Sequence, residues 1–473
     1  MSSSSKASER INALLDDNSF VEVGALVTAR STNFNVKPEQ TPSDGVITGY
    51  GTIDGSLVFV YSQDSTVLGG SIGEMHAKKI TGLYDLALKT GAPIIGLLDS
   101  AGLRLQEGTD ALNAFASIYA KEAEASGVIP QIAAVFGNCG GGLAVAAGMA
   151  DFAFMADDAK LFVNSPNALA GNSEDKKDTA AAGFKAEAGA VDAHGTEEEV
   201  LAKIRALVSI LPSNNEDEAA EECEDDLNRA SANVAAGIAD PAVAAADLSD
   251  GNLFVETKAE YAKEMATGFI KLNGETVGLI ANRTASYDEK GETAAEFKPV
   301  LTVAGPEKAA DFVNFCDAFE SPVVTLTNVS GFCTCECAEK KIAKNAAKLA
   351  AAFAGATVPK VNVVVGDAFG SAYTVMNSKA LGADITMALP DARIGMMDGN
   401  LAAQIIAAGK DSAEVAETAS KYNELQNGID SAAAHGYVDQ IVEPADLRKY
   451  LIGALEMLYT KREDLPAKKH MTV

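Results

Sequence analysis

Basic residues are scarce in this chain: 38 Lys and Arg face 66 Asp and Glu among 473 residues, for a formal net charge of -28. No run of Lys or Arg exceeds a pair, as at Lys78-Lys79 or Lys176-Lys177. Such a surface repels a polyanion, so no nucleic acid partner is expected. Long apolar runs are missing too. The best, Leu143 to Met155, is interrupted by Asp151 and falls short of the ~18 to 20 residues a spanning helix needs. The start, MSSSSKASER, has no hydrophobic region after its charges, so neither a signal peptide nor direct membrane insertion is expected, and the location expected is cytoplasmic. Six cysteines in this length make no disulfide framework and are read as reduced thiols. The four histidines, His76, His194, His435 and His470, form no ligand pair, which leaves zinc hydrolysis or a catalytic triad little support. Gly-x-Gly-x-x-Gly in an early βαβ unit, a Gly-Lys-Ser/Thr phosphate loop and a Gly-x-Ser-x-Gly elbow are absent as well.

What is present is an ordinary globular composition, 47% apolar and 22% charged, in a length that suits two to four domains at roughly 100 to 200 residues each. Its most informative feature is an internal repeat. Gly91-Ala-Pro-Ile-Ile-Gly-Leu-Leu-Asp-Ser-Ala-Gly102 matches Glu320-Ser-Pro-Val-Val-Thr-Leu-Thr-Asn-Val-Ser-Gly331, with Pro93 and Pro322 229 positions apart. The offset is again 229 where Pro130-Gln-Ile-Ala-Ala-Val-Phe-Gly137 matches Pro359-Lys-Val-Asn-Val-Val-Val-Gly366. Upstream, Asp54-Gly55 answers Asn273-Gly274; downstream, Ala193-His-Gly195 is paired with Ala434-His-Gly436. Each copy reads as a hairpin turn, a strand, an amphipathic helix and Pro-started apolar strands ending in glycine turns. Strands alternating with helices imply parallel sheets covered by helices, an α/β fold built by internal duplication. The expected division is a domain over 1–212, an acidic linker over 213–250 that includes the dense run Glu216 to Asp226, and a second domain over 251–473.

Two segments of this pattern bear on chemistry. Gly137-Asn-Cys-Gly-Gly-Gly142 follows a strand and opens a helix, and its mate is Gly366-Asp-Ala-Phe-Gly-Ser371. Small residues at a strand-to-helix turn expose the first helical N–H groups, which have no partner inside the helix and favour an oxyanion or phosphate. The competing reading is that glycine only lets helix and strand pack closely. Two copies at equivalent places favour a site that works through backbone amides and suits an enolate-like transition state. Separately, Cys333-Thr-Cys-Glu-Cys337 would place three thiols on one side if extended, within reach of a soft metal. The usual zinc spacing is missing, and no metal is expected; the cysteines are read as small thiols.

Gln63-Asp-Ser-Thr-Val-Leu-Gly-Gly-Ser-Ile-Gly-Glu74, Leu98-Asp-Ser-Ala-Gly-Leu-Arg-Leu-Gln-Glu-Gly108 and Ser126-Gly-Val-Ile-Pro-Gln131 closely resemble the carboxyltransferase component of biotin-dependent acyl-CoA carboxylases and decarboxylases. So do Phe315-Cys-Asp-Ala-Phe319, Ala356-Thr-Val-Pro-Lys360, Leu381-Gly-Ala-Asp384, and Lys461-Arg-Glu with Lys468-Lys-His470. The resemblance runs from about residue 10 to the C-terminus. It implies two tandem crotonase-like (ClpP/crotonase) domains, with the acyl-CoA side on the first and the biotin side on the second. It also implies a homodimer or trimer of dimers in which the N-terminal domain of one subunit faces the C-terminal domain of another. It further implies a coenzyme A thioester as the substrate and biotin that arrives on a separate carrier protein or subunit, in keeping with the lack of a Met-Lys-Met motif here. The other partners implied are a biotin carboxylase or a membrane decarboxylase subunit.

Carried over by motif, the amides of Gly141 and Gly142 form the thioester oxyanion hole and those of Ser371 and Ala372 the biotin hole. Gly70, Ala101, Gly102, Arg104, Gly140, Gly370 and Thr374 are the implied substrate-binding positions. Arg104 would either hold the active-site loop or cap it. The chain departs from the family at Ser371, where a glycine is usual, at Thr374, and over Ala338 to Lys348, where the family carries a Pro-Gly turn and a glycine-rich helix. The activity expected is carboxyl transfer between an acyl-CoA (methylmalonyl, malonyl or glutaconyl type) and protein-bound biotin, in the α-subunit of a sodium-pumping decarboxylase. The alternatives are a carboxylase β-subunit, a crotonase-type hydratase using Glu107, or a catalytically silent CoA-binding scaffold.

Overall fold

The computed structural model describes residues 5–30, 34, 37–217, 222–288, 290–463 and 465–466. The chain forms two compact units, Met1–Ala219 and Ala220–Val473. In the first, the strands are β1 (Val21–Val23), β2 (Val46–Ile53), β3 (Ser56–Gln63), β4 (Ile94–Ser100), β5 (Gln131–Gly140), β6 (Phe152–Ala156), β7 (Lys160–Phe162) and β8 (Ala193–Gly195). They make one sheet in the order β1-β2-β3-β4-β5-β6-β8, with β7 beside the end of β5. Pairing is antiparallel from β1 to β3 and parallel onward. The β2–β3 hairpin turns through Asp54 and Gly55, both at positive φ (49° and 84°), the conformation an Asp-Gly turn supplies. The apolar runs 94–98 of β4 and 132–136 of β5 lie in the centre of the sheet and are buried.

The second unit repeats this plan. Its strands are β9 (Val255–Thr257), β10 (Met265–Leu272), β11 (Glu275–Asn282), β12 (Ala285–Tyr287), β13 (Thr293–Glu296), β14 (Val300–Leu301), β15 (Val323–Val329), β16 (Gly331–Phe332), β17 (Lys360–Phe369), β18 (Ile385–Ala388), β19 (Arg393–Gly395) and β20 (Gln440–Ile441). The main sheet is β9-β10-β11-β15-β17-β18-β20, with β19 beside β17. The two sheets are mixed, each with a parallel core.

Hydrogen bonds repeat with the strands. The Phe59 N–H donates to Pro93 O (2.9 Å) as Gly278 does to Pro322 O (2.8 Å), and Ile94 to Pro130 O (3.0 Å) as Val323 does to Pro359 O (2.8 Å). Asp192 accepts from the Ala153 N–H as Asp439 does from Thr386, 2.8 Å in each case. Lys79 and Lys308, 229 apart, are both buried. Lys79 Nζ donates to Ser43 O (3.0 Å) and Val46 O; Lys308 Nζ donates to Lys258 O (2.9 Å), Tyr261 O (3.0 Å) and Met265 O (2.7 Å). Burial pushes both ammonium groups down to about 8.

One expected match fails. Ala193–Gly195 is strand β8, but Ala434-His435-Gly436 ends the helix Ile429–Ala434. The partner of β8 is β20, which pairs with β18 as β8 pairs with β6. The shared Ala-His-Gly tripeptide is too short to fix a register. Within 213–250, the helices Val234–Gly237 and Pro241–Leu248 put Val234, Ala244, Ala245 and Leu248 into the second unit's core. Residues 218–221 of the acidic run and the Lys468-Lys-His470 motif lie outside the described residues. Among the described residues, no helix is long and apolar enough to cross a membrane.

Candidate active site

At the C-terminal ends of β4 and β5, Ser100 lies opposite Cys139, and the chain leaves β5 through Gly140, Gly141 and Gly142 into the helix Gly142–Ala147. Gly141 sits at φ 60°, ψ -125°, a conformation that only glycine adopts readily. The amides of Gly142 and Leu143 belong to the first helical turn and have no intrahelical acceptor. Gly141, expected as a donor, differs: its N–H donates to Phe162 O at 2.9 Å, because β7 runs parallel to the end of β5 and takes up that amide. The donors left at this turn are therefore Gly142 and Leu143. They stand 229 positions before Ser371 and Ala372, so the structural register pairs the two turns residue for residue.

The turn is braced from below. Tyr119 Oη donates to Gly142 O at 2.6 Å, and a Cβ on Gly137 would lie 2.1 Å from an Asp99 carboxylate oxygen. Asp99 accepts from Ser65 Oγ (3.0 Å) and Arg10 Nη1 (3.3 Å), and its own N–H donates to Gln63 Oε1 (3.1 Å). The helix has six residues, so its macrodipole is small and the site acts through individual N–H groups. Cys139 is buried just before the turn, and burial pushes its thiol up to about 12.

Gly70, Ala101 and Gly102 gather at the same end of the sheet. The Ala101 N–H donates to Gly69 O (2.8 Å), Ser100 Oγ to Gly70 O (2.7 Å), and the Gly102 N–H to Ser100 Oγ (3.0 Å). A Cβ on Gly70 would sit 2.5 Å from Asp99 O, whereas one on Gly102 would meet only Gly140 O, at 3.8 Å. Close by in the chain, Leu103 and Val145 expose apolar surface.

Arg104 is buried and bonded on several sides within its own unit. Nη1 pairs with Asp44 Oδ1 at 2.6 Å and Glu107 Oε1 at 2.9 Å, and Nη2 donates to Ser71 O at 2.6 Å. Burial raises the Asp44 pKa although Arg104 opposes it. Burial, with Arg104 nearby, pushes His76 down to about 3. Glu107, the candidate base of a hydratase, also accepts from the Glu74 N–H at 2.6 Å. Its oxygens are engaged inside the loop.

In the second unit, β17 runs into the helix Gly370–Thr374 with Gly370 at φ 60°. Ser371 and Ala372 lie in its first turn, Ser371 exposed and Ala372 buried. Thr374 is exposed, with Oγ1 folded back onto Gly370 O (3.3 Å). Asn328 repeats the role of Asp99: a Cβ on Gly366 would lie 2.6 Å from its Oδ1, which accepts the Asp367 N–H at 3.1 Å. Arg393 clasps Asp367 at 2.8 and 2.9 Å and lies over the Phe369 ring. The divergent stretch 338–348 falls in the helices Glu336–Glu339 and Ile342–Gly355 and is tied to the helix Ala304–Ala318 through Lys348–Glu307 (2.7 Å). Asp99 and Asn328 were discoverable from the 229 offset. Arg10, Tyr119 and Arg393 carried no sequence signal.

Comparison with known proteins assigns this architecture. The chain belongs to the carboxyl transferase family, whose carboxyl transferase domain model matches residues 3–473. It is 37% identical over 481 residues to the propionyl-CoA carboxylase beta chain of Roseobacter denitrificans, covering 98% of this chain and 92% of that one. It is also 37% identical over 490 residues to the methylmalonyl-CoA decarboxylase subunit alpha of Propionigenium modestum, with the same coverage. The fold matches transcarboxylase 12S, a hexamer solved with hydrolysed methylmalonyl-CoA bound, at a TM-score of 0.89 and 36% identity over 98% of this chain and 92% of that one. Both units thus have the crotonase-like fold, and within the family the chain is a biotin-dependent acyl-CoA carboxyltransferase.

Proposed function

We propose that the two turns are the two halves of a carboxyl-transfer site, with Gly142 and Leu143 receiving the thioester oxygen of an acyl-CoA and Ser371 and Ala372 the ureido oxygen of biotin. Biotin supplies a nitrogen that carries the carboxyl group. This chain contributes main-chain donors where negative charge develops, each such donor typically lowering a barrier by ~2.7 to 4 kcal/mol. The observation that carries the reading is the equivalence of the turns: strand, positive-φ glycine (Gly141 and Gly370, both φ 60°) and free first-turn amides recur in one register. Gly70, Ala101, Gly102 and Gly140 would line the acyl-CoA side, with Gly370 and Thr374 on the biotin side.

The substrate proposed is a methylmalonyl-type thioester, with the chain acting as the α-subunit of a cytoplasmic decarboxylase assembly that moves the carboxyl group from the thioester to biotin held on a carrier protein, which then presents it to a membrane subunit. The relative from Propionigenium modestum supports this direction. The equally similar propionyl-CoA carboxylase chain supports the reverse one, with a biotin carboxylase as partner. The test is carboxyl exchange. The purified chain is given free biotin with methylmalonyl-, malonyl- or glutaconyl-CoA, and decarboxylated thioester is measured. Transfer dependent on biotin supports the assignment, whereas thioester binding without transfer marks a scaffold and overturns it.

A further inference from the structure

The thiols of Cys333, Cys335 and Cys337 serve neither turn, yet they form a cluster. Cys333 Sγ is 3.4 Å from Cys335 Sγ, which is 2.9 Å from Cys337 Sγ. Cys335 and Cys337 are exposed and Cys333 half-buried, in contrast to Cys139 and Cys316, which are buried. Cys337 and then Cys333, bonding to its sulfur, hold the Cys335 thiol below its ordinary pKa, the state in which sulfur is nucleophilic. Burial moves Cys139 and Cys316 the other way. The described residues contain no group of three or more His, Cys, Asp or Glu arranged to hold a metal ion. The cluster adjoins the second turn: the Cys333 N–H donates to Leu301 O at 2.8 Å, anchoring the segment just after β16, and β16 packs against the helix Gly370–Thr374.

We propose that Cys333-x-Cys-x-Cys337 is a peroxide-reactive thiol site in which Cys335 is the attacking sulfur and Cys337 the resolving one, and that the resulting disulfide impairs the turn at Ser371 and Ala372. The Cys335 thiolate attacks one oxygen of hydrogen peroxide. The O–O bond breaks, sulfur loses two electrons to form a sulfenic acid, and hydroxide leaves. Cys337 sulfur then attacks the sulfenic sulfur; an S–S bond forms, the S–O bond breaks, and the oxygen departs as water with the Cys337 proton. In sum, two thiols and one peroxide give one disulfide and two waters. Bond formation needs the 2.9 Å contact to close by about 0.9 Å. That closure draws in the segment between β16 and the helix Glu336–Glu339.

The experiment treats the full chain with hydrogen peroxide, counts thiols, maps the product by peptide mass and assays carboxyl exchange before and after. The expected result is a drop from six thiols to four, with one disulfide inside 333–337 that dithiothreitol reverses. Cys337→Ser should instead accumulate a sulfenic acid at Cys335, trapped by dimedone, and Cys335→Ser should keep all its thiols under the same dose. Oxidation centred on Cys223, or equal thiol loss in Cys335→Ser, overturns the site. The coupling rests on the carboxyl-transfer reading. It predicts a reversible fall in exchange approaching the ~100-fold that losing one donor costs, absent in Cys335→Ser, and unchanged exchange by the fully oxidised chain overturns it. If the reduced chain transfers no carboxyl group, the proposed function fails while the mass data still decide the thiol site.

Discussion

Replacing Gly141 by alanine tests how the first turn presents its amide. At φ 60°, ψ -125° an L-residue is strained by of order 1–3 kcal/mol, while a Cβ there would touch nothing within 4 Å. The whole penalty is therefore backbone strain. The chain can relieve it by rotating the peptide between residues 141 and 142, which turns the Gly142 N–H out of the site. Gly108 provides a matched control: it adopts φ 58°, ψ -124°, and its Cβ would also meet nothing. Gly141→Ala and Gly108→Ala should each lower the melting temperature by about 4–8 °C for ~2 kcal/mol. Only Gly141→Ala should also lose carboxyl exchange, by ~100- to 1000-fold, the cost of one oxyanion donor. Thermal melts and single-turnover exchange measure the two effects. A Gly141→Ala enzyme that melts like Gly108→Ala and transfers at the wild-type rate would refute the role of this turn.

Ala372→Pro deletes the N–H itself and should abolish exchange by ~100-fold or more with far-UV circular dichroism unchanged; near-normal exchange would exclude that amide. Arg104→Met strands two buried carboxylates and should cost about 3–5 kcal/mol. In denaturant melts that deficit should shrink as pH falls and Asp44, whose pKa burial already raises, takes up a proton. Glu122, buried with Oε2 lacking a hydrogen-bond partner, has its pKa pushed up by burial to about 8. Its folded pKa lies above the unfolded one, so its stability contribution is complete below about 4.5 and is lost as pH rises through about 8. Glu122→Gln should therefore gain on the wild type between pH 5 and 8.5, by roughly 3–4 kcal/mol at ~1.4 kcal/mol per unit; an equal difference at both pH values would contradict the assignment.

Much of the architecture could be read from the sequence because its periodicities are physical. Pro93 and Pro322 begin apolar strands at a fixed spacing, and Asp54-Gly55 and Asn273-Gly274 specify tight hairpins that the structure contains. Features built by distant residues could not be read. Nothing local announces that Asp44 will meet Arg104 sixty positions later, or that Arg10 will reach Asp99. The neighbour of Gly141 is such a feature: its N–H donates to Phe162 O, on a short strand off the main order of the sheet, and a motif does not reveal who sits next to it. Within 213–250, Val234 and Leu248, beyond the acidic run, are core residues.

The twin lysines carry a historical implication. A buried ammonium held by carbonyls at the same place in both halves is hard to acquire twice, because each needs a cage shaped around it. Lys79 and Lys308 are thus best understood as inherited from a single-unit ancestor, together with the Asp99 and Asn328 supports. The Arg104 cluster and the three neighbouring thiols, each found in one half only, mark where the two copies differ.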